Sequence, residues 1–302
     1  MRTNCQHKVL NHPVCVIGLG LIGGSLMRAL AAAEVPVFGW NRSEATVEAA
    51  HADGFDVYND LPETLLRAAE EDALIVLGVP VYAVAELLSV IVEYAPQCAL
   101  TDVVSVKEEV QALVEAAGLG DRFVGSHPMA GNEYSGWQST DSRLFEGAPW
   151  VVMADGDPEV TERVQCMAVT VGAHIVETDP VTHDGAVACI SHVPHLVASA
   201  LATTGVEESI GGGDLALQLA AGSFRDGTRV AGTSPSLVRS MCEGNRRAVL
   251  PVLGHMIEEL QACYRELWSE GTVADLTARG NAAHAHYKEV KRHTDEPTEP
   301  AD

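Results

Sequence analysis

Residues 14–24, VCVIGLGLIGG, restrict the fold of this chain more than any other stretch. An apolar strand, Val14 to Ile17, runs directly into Gly18, Gly20 and Gly23, spaced G-x-G-x-x-G, and then into a helical pattern from Gly23 to Ala33. The glycine spacing alone is weak evidence. Followed by a second strand at Val35 to Trp40, it becomes the signature of the first βαβ unit of a dinucleotide-binding sheet. Gly18 permits the tight turn, Gly20 lets the backbone approach a pyrophosphate, and Gly23 lets the helix lie close to the strand. Leu19, Leu21 and Ile22 belong to the same turn, and the helix N-terminus after it offers free amides and a partial positive charge to phosphates.

The same alternation continues. Strands are expected at Ala73–Val79, Ala99–Val104, Phe123–Gly125, Trp150–Met153 and His174–Glu177. Helices are expected at Ser43–Ala52, Leu61–Glu70, Val81–Tyr94, Lys107–Ala117 and Pro158–Val171. Continuous apolar strands alternating with helices predict an α/β, Rossmann-type, doubly wound parallel sheet covered on both faces. After Thr178 strand patterns stop, and helical ones run over 181–204, 213–224, 234–268 and 272–290. The expected division is therefore a dinucleotide-binding domain over 1–178, an all-α domain over 179–291 and a disordered tail over 292–302.

The 302 residues are 47% apolar, enough for two cores. Apolar runs such as Ala73–Val81 are too short to cross a bilayer, and Met1–Pro13 has no secretory pattern. The seven cysteines are scattered singly, as expected for reduced thiols and a cytoplasmic location. A net charge of -23 disfavours nucleic acid and anionic membranes, so neither is expected as a partner. An anionic substrate then needs specific arginines to capture it.

Cofactor choice is set at the end of the second strand, where NAD binders usually carry an acid. Here Asn41, Arg42 and Ser43 stand there instead, so the residues favour NADP over NAD. Arg42 pairing with the 2′-phosphate and Arg42 stacking on adenine both remain open.

Three further stretches stand out. LTDVVSVK (100–107) ends a strand with Ser105 and opens a helix with Lys107. GSHPMAGNEYSGW (125–137) places His127 after a strand and before Pro128, on an expected turn at the strand's carboxyl end. HDGAVACISHVPH (183–195) sets His192 and His195 three apart on the first long helix. Together with GLGLIGGSL and FRDGTRVAGTSP (224–235), these segments resemble, in order and spacing, the prephenate/arogenate dehydrogenase family of tyrosine biosynthesis. The likeness covers roughly 14–290.

The resemblance implies a Rossmann domain joined to a helical domain that forms a homodimer. It implies oxidative decarboxylation of prephenate to 4-hydroxyphenylpyruvate, or of arogenate to tyrosine. It assigns His127 as the base that removes the ring hydroxyl proton, a task suited to histidine near neutrality. Ser105 would bond the reacting hydroxyl and orient the histidine, and as a serine ahead of a helix it could also be an N-cap. Arg229, with Arg225 as its neighbour, would hold the ring carboxylate. His195 would meet the substrate side chain, and Glu133 would gate the site or pair with an arginine. A donor at His195 suits the keto group of prephenate better than the amino group of arogenate. No fused chorismate mutase domain and no appended regulatory domain are expected. His183, His192 and His195 share a segment, but without a Cys pair or His-Glu-x-x-His pattern they are not expected to hold zinc.

Two rivals are weaker. A β-hydroxyacid-type dehydrogenase needs a helical-domain lysine as acid/base group, and no lysine lies in the first helices after residue 180. A non-catalytic dinucleotide sensor shares the fold but has no use for His127 and Ser105.

Overall fold

The computed structural model describes residues 10, 12–131 and 134–295, with side chains described to residue 292. By packing it divides into residues 1–249 and 250–302. In the larger unit a six-stranded parallel sheet forms from β1 (Val14–Ile17), β2 (Val37–Trp40), β3 (Val57–Tyr58), β4 (Leu74–Leu77), β5 (Leu100–Asp102) and β6 (Phe123–Val124). Their order, β3-β2-β1-β4-β5-β6, is that of the doubly wound dinucleotide fold. Every residue of β1 and β4 is buried, as continuous apolar strands require when helices cover both faces. Those helices are α1 (Leu21–Ala32), α2 (Glu44–Ala52), α3 (Leu61–Glu70), α4 (Val81–Tyr94) and α5 (Glu108–Ala116).

Register fixes where a ligand can sit. Ile17 stands level with Trp40 and Leu77, and Leu77 with Asp102. The segments that follow, beginning at Gly18, Asn41, Gly78 and Val103, therefore open on one edge of the sheet. Strand order reverses between β1 and β4, and open α/β sheets bind ligands at such a switch point.

The sheet ends earlier than the sequence suggests. Beyond β6 the chain forms a second, mixed sheet: β7 (Ser126–Pro128) lies antiparallel to β8 (Pro149–Met153), which lies parallel to β9 (His174–Thr178). His127 is thus a strand residue opposite Val151, not a turn residue. The cause is a buried polar knot at the sheet junction. The Ser126 amide donates to Asp102 Oδ1 (2.9 Å) and its hydroxyl to the Asp102 carbonyl (2.7 Å), so Ser126 leaves the β6 ladder. The Trp150 indole donates to the same hydroxyl (3.1 Å) and draws β8 alongside. α6 (Pro158–Thr170) covers this second sheet.

The helical half of the larger unit starts with α7 (Pro180–Val187), passes through one π turn over Ala188–His192 and continues as α8 (Val193–Val206). Pro194 lies two residues past the π turn, in the first turn of α8; lacking an N–H, it suits the register change there. The whole run, Pro180–Val206, is long and apolar enough to cross a membrane by length and composition, unlike the shorter runs singled out in the sequence. Its first turns nevertheless carry buried, hydrogen-bonded His183 and Asp184, which dock it against α5. The helix expected over 213–224 breaks at Ala220–Ala221 into α9 (Asp214–Leu219) and α10 (Gly222–Thr228). That expected over 234–268 breaks at Asn245 into α11 (Pro235–Gly244) and α12 (Arg246–Glu270). The Asn245 amide donates inward to the Asp184 carbonyl (2.7 Å) and His192 Nδ1 (3.1 Å), which holds this break in the larger unit.

Strand patterns end at 178, as read, but packing keeps 180–249 with the sheet. In the smaller unit, the rest of α12 is joined to α13 (Ala274–Asp295) by Arg279, which bridges Glu259 and Asp275. α13 takes in residues 292–295 of the expected tail, and 296–302 lie outside the described residues. Among the described residues all cysteines are free thiols.

Lys107 Nζ is fully buried against both oxygens of Asp102 (2.5 Å each) and the Ser126 carbonyl (2.7 Å). Burial pushes the Asp102 carboxyl up and the Lys107 ammonium down, and their mutual attraction opposes both shifts. Replacing the lysine leaves a buried carboxylate alone. Lys107→Met is expected to cost about 3–5 kcal/mol in urea unfolding, and a loss below about 1 kcal/mol would contradict the pairing.

Candidate active site

Three glycines at the sheet edge have different physical jobs. Gly18 has φ +99°, and a Cβ there would lie 2.6 Å from Val79 Cγ1. A Cβ on Gly23 would lie 2.0 Å from the Gly18 carbonyl, so only glycine lets α1 sit on the turn. Gly20 differs: its φ is −74°, and a Cβ would meet nothing within 4 Å. Neither backbone nor packing requires glycine there, yet Gly20 lines the cavity, so the space is kept for something outside the chain. α2, α3, α6 and α7 are capped by Ser43, Asp60, Asp157 and Asp179, whereas α1 starts on Gly20 with no side-chain cap. An uncapped helix N-terminus beside an open glycine fits a pyrophosphate.

The residues at the tip of β2 are partly committed elsewhere. Asn41 Oδ1 accepts the Leu19 amide (3.0 Å) and shapes the glycine turn. Ser43 Oγ accepts the Thr46 amide at the start of α2. Arg42 is exposed and makes no ion pair among the described residues. Of the three, Asn41 therefore acts first on the turn and Ser43 first on its helix.

A cavity of about 640 Å³ opens along this edge. Its walls include Gly20, Leu21 and Ile22 from the turn, Gly78–Pro80 after β4, Ser105, His127, His195 and Arg229. The expected catalytic pair and two of the expected substrate contacts thus share one cavity. Arg225 does not join them: its guanidinium is exposed and paired with Asp226 (2.9 Å). Glu133 lies outside the described residues. Ser105 does not cap α5, which starts three residues later at Glu108. Asp184 does so from α7, accepting the Lys107 amide (2.8 Å) and the Glu108 amide (2.9 Å). The Ser105 hydroxyl is left facing the cavity with no hydrogen bond among the described residues.

His127 is set behind by charge and burial. Burial holds its imidazole well below its ordinary range, and nearby His183, Lys107 and His192 push the same way. It is therefore neutral at neutral pH, as a base must be. Its Nδ1 lies 2.9 Å from His183 Nε2, and His183 Nδ1 lies 2.7 Å from Asp184 Oδ1. His192 is held at about 4 by burial, with Asp184 opposing. His195 corrects an expectation. Its Nδ1–H is donated to the Ser191 carbonyl (2.8 Å), so the neutral ring offers Nε2 as an acceptor and becomes a second donor only when protonated.

Asp102, Ser126, Asp184 and Gly78 were not singled out in the sequence, where Lys107 appears only as a helix start and His183 only in a histidine cluster. A buried carboxylate–lysine pair five residues apart and a His-Asp pair in the first turn of a helix were the available signals. Neither reveals its partners without the fold. Among the described residues no group of His, Cys, Asp and Glu converges as a metal site.

A parallel sheet in this order, an open glycine cradle at its switch point and a neutral histidine in the same cavity define a dehydrogenase of the nicotinamide-dinucleotide type. The chain belongs to the prephenate dehydrogenase family. The profile of that family's nucleotide-binding domain matches residues 26–177, starting just after the glycine turn, and that of its dimerization domain matches 179–277. A prephenate dehydrogenase of Bacillus subtilis is 31% identical over 256 residues, 82% of this chain and 68% of its own. A cyclohexadienyl dehydrogenase of Zymomonas mobilis is 30% identical over 259 residues, covering 82% and 86%. A solved structure from Corynebacterium glutamicum, described as a candidate prephenate dehydrogenase, is 44% identical, with a TM-score of 0.87 over 92% of this chain and 89% of that one.

Gly20 separates ligand binding from folding. Gly20→Val is expected to leave the melting temperature unchanged and to weaken dinucleotide binding at least about tenfold in calorimetric titration, roughly 1.4 kcal/mol. Unchanged affinity would mean that the cradle serves something else.

Proposed function

We propose that this chain oxidises and decarboxylates prephenate with a nicotinamide dinucleotide as hydride acceptor. The observation that carries the reading is the meeting of His127, Ser105, His195 and Arg229 in the cavity that Gly20 opens. When bound, the dinucleotide supplies the hydride-accepting ring. The chain's residues do the rest. His127 takes the proton from the ring hydroxyl, Ser105 bonds that hydroxyl, and Arg229 pairs with the ring carboxylate before it departs. An anion is attracted into a chain of charge -23 only at such a point.

A second reading, oxidation of arogenate to tyrosine, is favoured by one observation. The neutral His195 ring offers an acceptor, which matches an ammonium group, whereas its protonated form matches the carboxylate and keto oxygens of the prephenate side chain.

The finer assignments are NADP, a homodimer and a cytoplasmic location. NADP is supported by the absence of an acid at the end of β2 and by the exposed Arg42; the ratio of kcat/KM for the two dinucleotides reads it directly, and a ratio favouring NAD sinks it. The dimer is supported by exposed Leu250, Ile257, Leu260, Tyr264 and Leu267, which recur at heptad-like spacing along α12. A monomer at micromolar concentration in sedimentation would contradict it. Unpaired cysteines support the cytoplasm, and recovery of the protein in an oxidising compartment by cell fractionation would contradict it.

The direct test is His127→Asn. Turnover of prephenate should fall by about 10²–10⁴-fold, with dinucleotide affinity nearly unchanged. Normal turnover in that variant would refute the role of His127.

A further inference from the structure

Behind His127 lies a buried file of groups that the reaction as described does not use. Asp184 accepts two backbone N–H groups, one on each carboxylate oxygen, so both oxygens act as acceptors. The His183 ring nitrogen 2.7 Å from Oδ1 must therefore donate to it. Neutral His183 then has only an acceptor at Nε2, and His127 must donate its Nδ1–H across the 2.9 Å contact. The proton on His127 is thereby placed away from the cavity, and Nε2 is left bare. His183 is 3% exposed and Asp184 1%, so no solvent competes for these bonds.

We propose that His183 and Asp184 are positioning residues that hold His127 with a bare Nε2 and then carry the charge of the proton it takes up. The proposal rests on the reading of His127 as the base. In the step, the substrate O–H bond breaks as an N–H bond forms at His127 Nε2. The Nδ1–H bond of His127 breaks as one forms at His183 Nε2. The resulting imidazolium of His183 keeps its Nδ1–H on Asp184. One proton enters the file and none leaves it, while the hydride goes from the substrate carbon to the oxidised nicotinamide. Charge placement favours this direction. A cation on His127 would face His183 from α7, Lys107 ahead of α5 and His192 from the π turn, as well as burial. A cation on His183 lies against a carboxylate.

The test uses the full chain and His183, because Asp184 also caps α5. Nitrogen NMR of histidine-labelled protein without substrate should show His127 protonated at Nδ1 in the parent. His183→Leu should lose that single tautomer and lower kcat about 10²-fold or more, with KM within about threefold. His183→Gln offers a carbonyl that can accept Nδ1–H but cannot take the proton. It should restore the tautomer and only part of kcat. A parent protonated at Nε2, a folded His183→Leu with kcat within about twofold of the parent, or full recovery in His183→Gln would each overturn the proposal. If the parent shows the Nδ1–H tautomer but turns over no cyclohexadiene acid, the substrate reading falls and the tautomer assignment stands.

Discussion

One carboxylate, that of Asp184, ties the functional parts of this molecule together. Its oxygens take the first amides of α5 and the ring of His183, and its backbone carbonyl takes the side chain of Asn245. A buried carboxylate is costly unless its lone pairs are filled, and these are filled by the start of α5 and by the ring of His183. The first helix after the sheet is thus fixed against the edge where the cavity opens. The same contact sets the start of α5, the ring behind His127 and the break between α11 and α12.

A second polar knot does similar work one strand away. Asp102 and Lys107 neutralise one another at the end of β5, and the hydrogen bonds of Ser126 to Asp102 divert the chain into β7. His127 is therefore carried on a strand whose first residue is locked on both sides. A base held this way loses little freedom on binding, which is the structural meaning of preorganisation. The glycine turn, by contrast, donates a hydrogen bond to the side chain of Asn41 alone among the described residues and lines the cavity.

Much of this was legible in the sequence because it depends on local chemistry. The strands of the parallel sheet follow from apolar runs. The cradle follows from three glycines in fixed spacing after a strand. The cavity residues Ser105, His127, His195 and Arg229 came from motifs matched in order. The misses share a cause, which is that they depend on partners distant in sequence. His127 was placed on a turn because nothing local shows that Ser126 is captured by Asp102. Ser105 looked like a cap because Asp184, which caps α5, lies 77 residues from Lys107. β3 has only two residues, too few for any period. His195 was read as a donor because its bond to Ser191 depends on the ring's orientation in the helix. Arg225 and Arg229 are four apart, and only the fold shows which one reaches the cavity.

The central claim is that this cavity brings a nicotinamide ring and a cyclohexadiene acid together at His127. Steady-state reduction of NAD and NADP by the purified protein, with prephenate and arogenate assayed in parallel, tests it most directly. The account predicts turnover with prephenate, with arogenate as the second substrate, and a higher kcat/KM with NADP. No reduction in any of the four pairings, by protein that binds a dinucleotide, would contradict it.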